Sequence, residues 1–346
     1  MIWIWIGFVT FVLLMLALDL GVFHRRAHVV RIREALIWSG VWVALALLFG
    51  IFVYFAYEGH WLGLGAGVDA VDRHINDGPA AVLKYLTGYV IEKSLSVDNI
   101  FVIAMLFGFF AVPATYQHRV LFWGILGALV MRGVMIGIGA EMIARYHWIL
   151  YIFGGLLILT AIKMLLMKTD HADPARNPVL RLVRRCFRVS DQYHGQHFVV
   201  RLAAGRALTP LAVALVAIET TDLIFAVDSI PAIFAVTADP FLVFTSNVFA
   251  ILGLRSLYFA LAGMIDKFRY LKPALAVVLA VVGAKMLLAS QIKVALGPHA
   301  NAWLLGLVML ILAVGVVASL VAARRTGPAP ADDQAAPLAS VPGHSH

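Results

Sequence analysis

Two strongly apolar stretches carry acidic residues at positions where a bilayer core would exclude them. IEKSLSVDNIFV (91–102) contains Glu92 and Asp98, and IETTDLIFAVDSIPAIFAV (218–236) contains Glu219, Asp222 and Asp228. An ionised carboxylate at the centre of a spanning helix costs about 2.5–3.5 kcal/mol on insertion scales, so such a group needs a compensating partner. The donors nearby are all hard oxygen: the carboxylates, Asn99, and the hydroxyls of Ser94, Ser96, Thr220, Thr221 and Ser229. Oxygen-only sets suit Mg²⁺, Ca²⁺ or Mn²⁺, whereas softer metals prefer thiolate and imidazole. Binding a hard divalent cation is therefore one chemistry these residues fit. The same carboxylates at low dielectric can instead hold protons and form a relay, and an exchanger would use both states. Purely structural acids are the third reading, and matching positions in two segments speak against it.

An empty cation site needs counter-charges, because unpaired carboxylates in a dry cleft are costly. Lys93 adjoins Glu92, and Arg132 and Arg255 fall near the middle of two further apolar runs. Either these bases neutralise the vacant site and move away on ion entry, or they pair permanently with acids. Lys163 and Lys285 fall near helix ends, where snorkelling to the interface is the default. Asp19 lies close to the end of the first run and is open to the same reading.

The elements that must position these groups are apolar helices. Hydrophobic residues make up 62% of the 346-residue chain and charged residues 13%, about half the share of soluble domains. Runs at about 2–22, 35–57, 79–110, 119–143, 148–167, 208–236, 241–264, 270–289 and 301–322 predict nine transmembrane helices, hence an all-α polytopic membrane protein. The first run lacks a basic leader and a small-residue cleavage site, so it is read as a span. Alternate connecting segments carry 18 and 3 Lys plus Arg, which predicts an outside amino terminus and a cytoplasmic carboxyl terminus in a cell membrane. The net charge of +8 is then topological and gives no support to nucleic-acid binding. The largest basic loop, 168–207, holds Arg181, Arg184, Arg185 and Arg188 at helical spacing. That pattern fits a topology-setting loop or an interfacial helix on anionic lipid. Residues 324–346 form a Pro- and Ala-rich tail expected to be disordered. The single cysteine, Cys186, excludes a disulfide framework and a thiolate metal site. No phosphate-binding loop, nucleophile elbow or resident cofactor signature is present, so neither an enzyme nor a primary pump is expected.

The transmembrane part, 1–323, contains an internal echo. SVDNIFVIAML (96–106) resembles AVDSIPAIFAV (226–236), GILG (124–127) resembles AILG (250–253), and AIKMLL (161–166) resembles GAKMLL (283–288). Each unit, about 79–167 and 208–289, has three spans, so the second enters the membrane from the opposite side. This is an inverted repeat, whose substrate site lies near the midplane where the copies meet. Aligning Asp98 with Asp228 puts Glu92 on Asp222. At 100° per residue a regular helix spreads Glu219 and Asp228 about 180° apart. Gathering all the acids therefore predicts interrupted helices, broken at Pro231 in one copy and around Ser94–Asn99 in the other.

The two acidic motifs, the continuation TADPFLVFTSNVFAILGLRSLYF (237–259) and MLALDLGVFHRRAH (15–28) resemble the TerC/Alx family of bacterial integral membrane proteins, from about residue 10 to 290. The resemblance implies a small transporter built from inverted three-helix repeats, with roles in manganese export and tellurite resistance. It implies that Asp98, Glu219, Asp222 and Asp228 are the important acids, and that Glu92 and Asp19 match family positions. A membrane carrier exporting Mn²⁺ against protons, with carboxylates serving both ions, is the expectation. A non-transporting scaffold or sensor in metal stress is the alternative.

Overall fold

The computed structural model describes residues 2–18, 32–166, 178–202, 205–261, 270–289, 291–292 and 297–325. Asp19 and the tail at 326–346 lie outside the described residues. The elements are α1 (Ile2–Leu18), α2 (Ile32–Glu58), α3 (Gly78–Phe109), α4 (Ala114–Arg145), α5 (Ile149–Leu166), α6 (Pro178–Cys186), β1 (Val199–Leu202), β2 (Gly205–Leu208), α7 (Pro210–Phe234), α8 (Pro240–Leu252), α9 (Leu254–Leu261), α10 (Leu271–Leu287) and a final helix, α11, from Ala300 to Arg325.

Three helices that bear site residues start on the same local device. Asp77, Thr209 and Asp239 cap α3, α7 and α8 by accepting hydrogen bonds from the amides of Ala80, of Ala212, and of Phe241 and Leu242. Pro79, Pro210 and Pro240 follow within the first turn, where a missing N–H costs nothing. Outward faces are apolar: Val130, Val134 and Ile138 of α4 are 63%, 57% and 57% exposed, one turn apart. A stripe like that would be an aggregation hazard in water and suits lipid tails.

Six segments are long and apolar enough to cross a membrane: α2, α4, α5, α7, the α8–α9 pair and α11. Of the other long helices, α3 reaches 32 residues but carries Lys84, Glu92, Lys93 and Asp98, while α1 and α10 have 17 residues each. The chain is an all-α integral membrane protein with a small exception. Part of the loop predicted at 168–207 forms α6 and the antiparallel hairpin β1–β2, which pairs Val199 with Leu208. Leu180 of α6 is buried with Val213 and Ala214 of α7, so this amphipathic helix leans on the bundle, and Arg181 and Arg185 remain exposed.

The predicted helix breaks are not where the sequence put them. Both α3 and α7 run continuously through their acidic motifs. Pro231 lacks the N–H that would bond the Val227 carbonyl, yet α7 continues past it to Phe234, so the missing bond falls near the end of the helix and does not split it. The interruption falls instead at Gly253, between α8 and α9.

At the end of the bundle where α3 begins, a buried polar network ties two connections together. The Lys84 ammonium, 1% exposed, meets Asp69 at 2.9 Å, Asp72 at 2.7 Å and the Asn76 carbonyl at 2.6 Å. Asp69 also accepts from the Thr237 hydroxyl at 2.5 Å and the Ala238 amide at 3.0 Å, which binds the α2–α3 connection to the α7–α8 turn. Tyr57 and Asn76 donate to Asp239 at 2.9 and 3.4 Å. Burial alone would push the Asp69 carboxyl up, but Lys84 and the surrounding donors outweigh it and hold it below the ordinary carboxylate value. Removing one partner of a buried ion pair leaves the other charge uncompensated and costs about 3–5 kcal/mol.

Lys84→Met is therefore expected to destabilise the detergent-solubilised protein by about that amount, read as a lower melting temperature. The Asp69 contribution has a definite pH sign. A depressed folded pKa gives stability that is present above the ordinary carboxylate range and is lost as pH falls through and below it. Asp239 is shifted the other way by burial, so the difference between wild type and Asp69→Asn isolates the Asp69 term. That difference should shrink on acidification.

Candidate functional site

The acids converge on a base. Arg132 of α4, 1% exposed, places its guanidinium between Glu92 of α3 and Asp222 of α7. Its Nε and Nη2 donate to the two Asp222 oxygens at 3.1 and 2.8 Å in a forked pair. Its Nη1 donates to Glu92 Oε1, to Ser229 Oγ at 3.3 Å and to the Asn247 side-chain oxygen at 3.4 Å. Asn99 closes the ring by donating to Asp222 at 3.5 Å. One positive charge thus faces two carboxylates.

Helix periodicity explains which residues meet. Glu92, Ser96 and Asn99 recur at steps of four and three on α3, and Asp222 and Ser229 are seven apart on α7, so each set shares a face. Glu219 precedes Asp222 by three residues on the same side. Its carboxylate lies against Gly127 of α4, where an added Cβ would collide with it, and its Oε2 is buried without a hydrogen-bond partner. Glu92 Oε2, Ser96 Oγ and Asn247 Nδ2 are buried and unpartnered as well. Buried polar groups in native proteins are overwhelmingly paired, so four orphans around one cluster single it out as the candidate site.

Asp98 and Asp228 point elsewhere. Each lies six residues beyond Glu92 or Asp222, which on an unbroken helix turns it about 120° away. Asp228 accepts from Thr160 of α5 at 2.9 Å and feels the charge of Lys163, while Asp98 feels that of Lys272 of α10. The continuous helices therefore deliver the separation that regular geometry demands, and the expected single pocket of four acids does not form. Among the described residues no three His, Cys, Asp or Glu side chains gather closely enough to hold a metal ion together.

The remaining bases also have defined places. Lys93 donates to the Ala250 carbonyl at 3.2 Å, one of the groups left over at the end of α8, and a side chain at Gly253 would strike its ammonium. Arg255 contacts His118 Nε2 at 3.2 Å, away from the cluster. Lys285, expected to snorkel, reaches inward to the Ala235 carbonyl at 2.5 Å and Asn301 at 3.1 Å.

A small void adjoins the cluster. A cavity of about 30 Å³, lined by Asn99, Asp222, Thr221, Phe225, Leu254 and Arg255 among others, leads from the cluster toward the end of the bundle where α3 finishes. That volume equals about one water molecule's share of the liquid, too little for a hydrated ion. At the opposite end, beside the Lys84 network, lies a second cavity of about 80 Å³ lined by Asp72, His74, Lys285 and Asn301 among others. Asn247 and that network escaped the sequence reading. The signal for Asn247 was the polar triplet Thr245–Ser246–Asn247 inside an apolar helix, and for the network a lysine one turn inside a helix that follows two aspartates in a short connection.

Comparison with known proteins places this geometry in a family. The model of the integral membrane protein TerC family matches residues 77–327, which include every residue of the Arg132 cluster. The chain is 47% identical over 334 residues to an uncharacterized membrane protein of Myxococcus xanthus, covering 96% of each chain. It is 48% identical over 286 residues to Alx of Escherichia coli K12, covering 82% of this chain and 85% of that one; Alx carries a provisional description as a membrane-bound redox modulator. An uncharacterized membrane protein of Rickettsia felis is 37% identical over 317 residues, covering 92% and 97%. No solved structure matches. With a family model spanning most of its length and relatives this similar over nearly all of it, the chain belongs to the TerC family of integral membrane proteins.

Proposed function

We propose that this protein is a secondary transporter of a hard divalent cation, Mn²⁺ by the family resemblance, moved outward in exchange for protons. The observation that carries the reading is Arg132, a buried base held between two carboxylates by five donated hydrogen bonds. Its acceptors are all oxygen, the donor set of a hard cation. The guanidinium stands in for the substrate: it neutralises Glu92 and Asp222 while the site is empty and yields them when a cation enters. Asp98 and Asp228, off the cluster and half-buried, suit proton acceptance along the route.

Packing supports the inverted repeat behind this mechanism. If α3–α5 correspond to α7–α10, with α8 and α9 counted as one span, the contact of α4 with α7 has its counterpart in that of α8 with α3. The α3–α7 and α5–α10 contacts are then self-paired across the repeat axis. The α5–α10 crossing is close, with Gly154 and Gly283 each facing the other's carbonyl, as small residues allow in membranes. Counting α1, α3 and α10 as spans gives nine, with the Lys84 end outside.

A second reading, a scaffold or sensor, draws on the absence of a three-acid group among the described residues. The redox description of the relatives meets one chemical limit here: with Cys186 as its single cysteine, one chain has no dithiol to cycle.

Mn²⁺ uptake into proteoliposomes containing the purified protein separates these readings. Asp222→Asn should lower the initial rate at least about tenfold, since it removes a charge-assisted fork worth about 1.5–3 kcal/mol per bond, with the protein still correctly inserted. A mutant that transports like wild type removes the carrier reading and favours the scaffold. Gly127→Ala adds only a methyl group against a flexible side chain. It should change stability by less than about 1 kcal/mol while displacing the Glu219 carboxylate, so a measurable rise in the Mn²⁺ concentration for half-maximal rate is expected.

A further inference from the structure

We infer that Asn247 of α8 is a direct neutral ligand of the transported cation and sets its selectivity; this rests on the transporter reading above. Three helices send one oxygen each to a single nitrogen of Arg132: Glu92 from α3, Ser229 from α7 and Asn247 from α8. An ion that replaces the guanidinium meets the same oxygens. Asn247 is 1% exposed, and its Nδ2 has no hydrogen-bond partner. An amide buried for packing would be costly in that state, because an unpaired buried donor pays its full desolvation.

The neighbours of Asn247 sharpen the point. Thr245 and Ser246 return their hydroxyls to carbonyls of their own helix, Phe241 at 2.7 Å and Val243 at 3.1 Å. Of this polar triplet, Asn247 alone carries its side chain across to the cluster. Its chemistry fits a set that already holds enough charge. Glu92 and Asp222 together match a divalent ion, and a further carboxylate would tighten binding at the expense of release, since ligand charge count tunes affinity in oxygen sites. A neutral amide oxygen adds a hard donor without adding charge. It also disfavours ions that seek nitrogen or sulfur, so the identity of this one side chain decides between hard and borderline metals.

The test measures initial rates of Mn²⁺, Ca²⁺ and Zn²⁺ entry into proteoliposomes for the wild type, Asn247→His and Asn247→Asp. Placing an imidazole at this position should raise the Zn²⁺ to Mn²⁺ rate ratio about tenfold. Asn247→Asp, close to isosteric, should lower the half-saturating Mn²⁺ concentration and slow turnover. A merely structural asparagine predicts losses common to all three ions with the ratio unchanged. Should Asn247→His fail to fold, Asn247→Asp decides alone: wild-type half-saturation and turnover overturn the assignment. A wild-type chain that moves none of the three ions removes the transporter reading itself, and with it the ligand role. Transport by wild type with unaltered ratio and affinity in the variants removes only the role of Asn247.

Discussion

A guanidinium enclosed by two carboxylates is the constraint on which the centre of this molecule depends. Glu92 and Arg132 are almost fully buried, at 0% and 1% exposure, and taking each charge out of water costs several kcal/mol. Neither is tolerable without the other, so α3, α4 and α7 must stay in register to within the reach of a hydrogen bond. The charges still do not balance. Asp222 sets a second carboxylate against the one guanidinium, and Glu219 brings close by a buried carboxyl oxygen that has no partner. A purely structural pair would have settled into neutrality; this one is left with acceptors in excess. Such an imbalance is what a cation with two charges would correct.

The rest of the fold serves that imbalance from two ends. Toward the start of α3, the Lys84 ammonium repeats the motif of a buried base between acids, but there the carboxylates of Asp69 and Asp72 are matched by amides, hydroxyls and the lysine itself. Satisfied networks rigidify, and this one joins the α2–α3 connection to the α7–α8 turn. Toward the finish of α3 the lining is thinner, with a water-sized cavity beside Asp222 and a helix break at Gly253. The Lys84 end is held by a satisfied polar network with a void of about 80 Å³ beside Asp72 and Lys285, and the other end has the smaller void beside Asp222.

Much of this was written in the sequence. Each of the nine apolar runs overlaps a helix among the described residues, six of them long and apolar enough to span, and Glu92 and Asp222, the acids that meet Arg132, were picked out by their mirrored positions. Arg132 was singled out from its depth in an apolar run as either a displaceable counter-charge or a permanent partner of the acids, and the structure pairs it with Glu92 and Asp222. The error concerned Pro231, read as a helix breaker in mid-membrane. Its missing N–H removes one bond, to the Val227 carbonyl, near the end of the helix, and α7 runs on through it to Phe234. With no break, Asp98 and Asp228 keep the orientation that six residues of regular helix dictate, toward Lys272 and Thr160. Asn247 and Asp69 were illegible for another reason: each acts through a partner more than a hundred residues away, Arg132 and Thr237 respectively, and periodicity reports only on neighbours along one helix.

The central claim is that Arg132 and a divalent cation compete for the same oxygens. Equilibrium Mn²⁺ binding to purified Arg132→Gln, against wild type, tests it most directly. Removing the competitor leaves the carboxylates in place and should tighten Mn²⁺ binding by about tenfold or more, equivalent to about 1.4 kcal/mol. Binding that is unchanged or weaker in a folded Arg132→Gln protein would contradict the account, because the guanidinium would then be a fixed strut and not the occupant a cation displaces.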